Sequence, residues 1–146
     1  MAGIAFEADF SAAARALARL NAEQLAMVAD KIANLVVDQT QLRISDEKTS
    51  PDGVRWVPWS EAYKKRRNET IHSLLVGVGN EGLFGSIENY STGLAAIVGT
   101  NVPYGAPHQF GSEDGSIPAR PYLGLSADNR TEIEALVAGN LEDLFQ

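Results

Sequence analysis

Residues 98–124, VGTNVPYGAPHQFGSEDGSIPARPYLG, hold the chain's most constrained backbone, and the rest of the sequence is organised around them. The stretch opens with the end of an apolar strand, Val98-Gly99-Thr100-Asn101. It continues through a compact aromatic and histidine segment, Tyr104 to Gly111, and an acidic, glycine-bearing loop, Ser112 to Ser116. Ile117-Pro118-Ala119-Arg120-Pro121-Tyr122-Leu123-Gly124 closes it. Four of the six prolines fall here, so Val102, Ala106, Ile117 and Arg120, each preceding a proline, are biased towards extended backbone. Such a segment specifies one connection between elements.

Upstream, Asn21 with Gln24 forms a capping-box signal for a helix of about residues 22–43. Leu25, Val28, Ala29, Ile32, Leu35, Val36 and Leu42 recur at helical spacing, with Gln39 interrupting the stripe. Ile4, Phe6 and Ala8 alternate with Ala5, Glu7 and Asp9 as a first strand, and Ser11 caps a short helix to Leu20. Trp56 is expected to plug the core under the long helix, and Trp59 to anchor a neighbouring subunit, since tryptophan is enriched at interface hot spots. Ser60 caps a short helix carrying Lys64, Lys65, Arg66 and Arg67.

Leu83–Tyr90 and Leu94–Val98, joined by Ser91-Thr92-Gly93, read as a β-hairpin. Ser126 or Asp128 caps a terminal helix to about Leu144, whose apolar face is Ile133, Leu136, Val137, Leu141 and Leu144. The sum is one α+β domain over 1–146. A small, mostly antiparallel sheet packs against the long helix, with loops at about 44–53, 77–82 and 111–117.

The 146 residues are enough to bury roughly two-thirds of the surface that the unfolded chain exposes. No apolar run approaches the ~20 residues of a membrane-spanning helix, and MAGIAFEADF lacks the basic region of a secretory signal. With no cysteine there are no disulfides or thiolate metal sites. A net charge of −7 argues against nucleic-acid binding over the whole surface. The charge is nevertheless segregated, because Arg55 and the 64–67 run hold five of the 12 cations. That asymmetry suits subunits meeting through opposite surfaces. For the cluster itself, a solvated face, an acidic partner subunit and DNA phosphates are all open.

Catalysis finds little support. His108 with Glu113 or Asp114 and Ser112 can be drawn as a triad, but no GxSxG elbow accompanies it. Two histidines leave no metal pattern such as HExxH, and the glycines form no phosphate-binding loop. No cofactor is expected. Tyr104, His108 and Phe110, spaced by four and two, put Tyr104 and His108 on one side of a short helical turn. The His108 ring nitrogens are then expected on backbone carbonyls. Arg120 points either to an intrachain carboxylate or to the acidic surface of the next subunit.

The order vGTnxxYxxxHQFG, then IPARPYLG, resembles the phage virion morphogenesis (tail completion) family of Mu-like and related contractile-tailed phages. Ser50–Pro58, resembling PDGxxWxPL, the short basic helix, and Gly82–Ile87, resembling TGxLxxSI, extend the likeness over roughly residues 45–125. Trp59, Gly105 and Glu81 depart from the commoner leucine, alanine and threonine. The resemblance implies a non-enzymatic virion protein, assembled in the bacterial cytoplasm, which finishes the tail or neck so that head and tail join. It implies a homo-oligomeric ring, with six copies favoured, in contact with tail-tube or neck and connector proteins and passing DNA in transit. Interface positions would be Trp59, Lys64, Lys65, Arg66, Arg67, Tyr104, His108, Phe110, Arg120 and Tyr122, and the loops at 44–53 and 111–117 would order on docking. The alternative is a DNA-contacting neck or channel module using the 64–67 cluster.

Overall fold

A computed structural model of the protein describes residues 3–7, 17–66, 74–76 and 82–145. Most of the expected Ser11–Leu20 helix, Arg67, His72 and all of the 77–82 loop except Gly82 lie outside the described residues. The elements are β1 (Ile4–Glu7), α1 (Ala22–Leu42), α2 (Glu61–Arg66), α3 (Leu83–Ser86), β2 (Glu88–Asn89), β3 (Ile97–Thr100), α4 (Gly105–Phe110) and α5 (Ala127–Phe145).

The long helix starts where its capping box places it. Asn21 Oδ1 accepts from the Gln24 amide at 2.8 Å, and Gln24 Oε1 accepts from the Asn21 amide at 3.0 Å. Val28, Ala29, Ile32, Ala33 and Val36 turn inward. Gln39 is buried with them rather than breaking the stripe: its Nε2 donates to the Asn129 carbonyl at 3.2 Å, tying α1 to the start of α5.

At its C-terminal end the helix widens. Arg43–Glu47 form a π-helical turn, closed by Lys48 in the left-handed region at φ 56°, with the Lys48 amide donating to the Arg43 carbonyl. Leu42, expected on the apolar face, is 51% exposed, while Arg43 and Ile44 are buried. The segment expected to be an exposed loop from residue 44 therefore begins as helix and contributes Ile44 to the core.

The sheet has three strands in the order β1-β3-β2, both pairings antiparallel, with Ile4 opposite Thr100 and Glu88 opposite Gly99. The expected strand Leu83–Tyr90 is mostly not strand. Gly82, at φ 79°, leads into the single turn of α3, and Leu83 and Ile87, four residues apart, both reach the core. That spacing is helical, which is why the alternation misled. The hairpin survives in shortened form. Thr92 and Ala95 exchange backbone hydrogen bonds around Gly93, leaving Leu94 at the exposed tip and starting β3 at Ile97.

The terminal helix α5 is capped reciprocally: Ser126 Oγ accepts from the Asn129 amide, and Asn129 Oδ1 accepts from the Ser126 amide. It runs unbroken through Gly139-Asn140, and Asn140 Oδ1 accepts from Lys31 Nζ of α1 at 2.7 Å. Ile133 and Val137 join Val28, Ile32, Val36, Trp56 and Val98 in one core. The architecture is α+β, as the periodicities predict.

Candidate functional site

The 98–124 segment is held by donors from distant parts of the chain. Trp56 Nε1 donates to the Pro121 carbonyl at 2.9 Å. Arg43 Nη1 donates to the carbonyls of Tyr122 (2.7 Å) and Gly124 (3.2 Å), and Nη2 to Asn129 Oδ1. Arg120 Nε donates to the Val57 carbonyl at 2.6 Å and Nη2 to the Pro58 carbonyl at 3.1 Å. Within the segment, Gln109 Oε1 accepts from the amides of Tyr122 and Leu123, each at 3.0 Å, while Nε2 donates to the Leu123 carbonyl. The two halves of the motif, HQFG and ARPYLG, are thus laced together by one glutamine.

Two expected interface residues serve this interior frame. Tyr122 is fully buried and its hydroxyl donates to the Gly105 carbonyl at 2.7 Å; burial pushes the phenol well above its usual range. Arg120 is 6% exposed, and its guanidinium meets main-chain oxygens of its own chain instead of an intrachain carboxylate. Its fixed direction, anticipated from the flanking prolines, points inward because the 56–58 strand-like segment lies against it. Burial pulls both Arg43 and Arg120 below their ordinary values, opposed by Glu47 at Arg43 and by Tyr63 at Arg120. Arg43 was not recognisable as part of the site, since in sequence it is only the last residue of a helix.

The short helical turn expected here forms as α4, with Ala106 helical and not extended before Pro107, and it places Tyr104 and His108 edge to face, ring centroids 6.2 Å apart. The imidazole is not tied as anticipated. His108 Nδ1 is buried without a hydrogen-bond partner among the described residues. Burial, with Arg120 nearby, pulls the ring below its ordinary value and favours the neutral form. In the following loop Asp114 Oδ1 accepts from the hydroxyls of Ser112 and Ser116 and from the Ser116 amide, which hold its carboxyl down to about 2. The acid that a triad would use is engaged by these serines. Among the described residues no group of three or more histidine and acidic side chains has metal-binding geometry.

Between α2 and α4 lies a cleft of about 770 Å³ walled by Pro58, Trp59, Tyr63, Tyr104, His108 and Pro118. Trp59 and Tyr63 meet edge to face at 5.3 Å, and Arg66, which also lines the cleft, sits 5.9 Å from the Tyr63 ring centroid. Ser60 Oγ accepts from the Tyr63 amide at 3.2 Å, so the cap read from sequence orients this wall. The structure therefore brings Trp59, Arg66, Tyr104 and His108 to one surface feature, with the Arg120 guanidinium behind it. Lys64 and Lys65 stand on the same helix, Lys64 3.7 Å from Glu61. Phe110, at 72% exposure, projects from the end of α4.

The sequence profile of the phage virion morphogenesis family matches residues 8–142. The chain is 33% identical over 123 residues to the Mu-like prophage FluMu G protein 1 of Haemophilus influenzae, covering 80% of this chain and 79% of that protein. It is 32% identical over 134 residues to the Mu-like prophage FluMu G protein 2 of the same organism, covering 86% and 92%. No solved structure matches it. With the profile spanning nearly the whole chain and both relatives aligned over most of their length, this protein belongs to the phage virion morphogenesis family, and its role is a structural one in building the phage particle.

Proposed function

We propose that the protein completes the phage tail or neck and permits head–tail joining, acting without catalysis as a homo-oligomeric ring of six. The observation that carries this reading is the open cleft between α2 and α4. Its walls combine the half-buried Trp59 and Tyr63 with the exposed Tyr104, and the exposed Arg66 adjoins them on an otherwise acidic chain. Aromatic side chains beside a cation are the usual anchors of protein interfaces. Here they line a surface cleft, while the hydrogen bonds of the signature segment stiffen the frame behind them. In the ring, Trp59 and Tyr104 bury area, and Lys64, Lys65 and Arg66 meet acids of the adjacent protomer. The finished ring sits at the tail end or head–tail junction, against tail-tube or neck and connector proteins, and DNA passes through it.

Solution mass by light scattering, at two salt concentrations and over a range of protein concentrations, tests the reading. A discrete ring mass that weakens with salt supports it, because screening acts most on exposed charge pairs. A monomer at every concentration sinks the preformed ring. DNA affinity that falls steeply with salt, and is abolished by neutralising Lys64, Lys65, Arg66 and Arg67, would instead favour a DNA-contacting module.

A further inference from the structure

We infer that the occupant of the α2–α4 cleft is the outer face of α5 from a second copy of this chain. This inference rests on the ring reading and names the surface that closes it.

The argument begins with Gly139. It lies in the middle of a 19-residue helix, where glycine is a poorer choice than any residue except proline. A Cβ built there meets nothing within 4 Å, so nothing in its own described surroundings requires the glycine. A glycine on an exposed helix face is explained when another body approaches the backbone closely.

The surroundings of Gly139 suit the cleft in both shape and charge. At about 100° per residue, Asp128, Glu132, Ala135, Gly139, Glu142 and Asp143 fall within about 60° of one direction. All six are exposed or at the surface, and the buried Ile133 and Val137 lie on the other side. The stripe is thus small in the middle, at Ala135 and Gly139, and acidic at both ends. The cleft is its complement: half-buried aromatic rings line it, with three cations on the same short helix. Trp59 and Tyr63 would rest on the α5 backbone at Gly139, while Lys64, Lys65 and Arg66 meet Glu132 and Glu142. The two surfaces belong to different parts of the molecule, so the contact is head-to-tail, the geometry that closes into rings.

Three variants measured beside the wild type by light scattering test this. Gly139→Leu should keep or raise the unfolding midpoint of the monomer, because the new side chain meets open space, yet weaken self-association at least tenfold. Lys64→Glu with Lys65→Glu should do the same through charge. Adding Glu132→Lys and Glu142→Lys to that pair should restore the wild-type mass. A wild-type ring that persists unchanged in Gly139→Leu, or a charge reversal that the compensating pair fails to rescue, would overturn the α5 docking and leave the ring reading in place. A wild-type chain that never associates would overturn both.

Discussion

The molecule handles its cations in two contrasting ways. Arg43 and Arg120 are interior, each satisfying main-chain oxygens from a distant segment, and together they clamp the 117–124 segment between α1 and residues 56–58. Lys64, Lys65 and Arg66 stand at the surface on a helix that contributes nothing buried. The same charge therefore builds the frame in one region and is left available in the other. The difference lies in desolvation. A buried guanidinium is tolerated only where its hydrogen bonds are fully met, whereas a surface cation contributes almost nothing to stability and can be kept for a partner.

The contrast is easiest to break from the inside. Arg43→Met strands the Tyr122 and Gly124 carbonyls and one acceptor of Asn129, and should cost about 3 kcal/mol in urea unfolding. Gly105→Ala is expected to follow at about 2 kcal/mol by the same measurement. Its Cβ would lie 2.7 Å from Thr100 Cγ2 and 2.9 Å from the Tyr122 hydroxyl, so an alanine does not fit there without repacking. Ser126→Ala removes the α5 cap and leaves the Asn129 amide without its hydroxyl acceptor; a loss of about 1 kcal/mol in the same assay is expected.

Lys48 sharpens the comparison because it sits between the two classes. Its Nζ donates to the Ile44 carbonyl at 2.5 Å and the Leu74 carbonyl at 2.7 Å, and burial pulls it from 10.5 to about 8. Between those two values the unfolded chain holds more protons than the folded one, so stability should rise with pH across that window. Below about 8 both states are protonated and the burial penalty is fully present. Urea midpoints from pH 7.5 to about 10 should show this rise in the wild type and not in Lys48→Met; equal slopes would refute it. The smallest effect on stability is expected from Lys64→Ser with Lys65→Ser, within about 0.5 kcal/mol, although self-association should fall. A large loss of stability there would erase the distinction between the two regions.

Much of the architecture was legible from residue order. The capping box of α1, the Ser60 and Ser126 caps, the burial of Trp56 and the short turn at Tyr104–His108 all follow from signals within a few residues of one another. The failures share a cause as well. Leu83–Ser86 was read as strand because alternation and helical spacing are not separable over four residues. Leu42 and Ile44 exchanged places because the helix runs on past Leu42 through Glu47, with Arg43 and Ile44 on its buried side. Tyr122 was expected at an interface, and Arg120 at either an intrachain carboxylate or the acids of the next subunit, yet both meet main-chain carbonyls of distant residues. Whether such a side chain turns inward depends on an acceptor elsewhere in the chain.

The sequence by itself determined the long and terminal helices, the α+β class and the family, because hydrophobic period, caps and motif order are carried by neighbouring residues. Only the tertiary structure decided that Arg43 would reach Tyr122, 79 residues away, and that Trp59, Tyr63 and Tyr104 would face one another across a cleft. A buried cation and an open aromatic wall are defined by what surrounds them, and that is settled when distant segments pack.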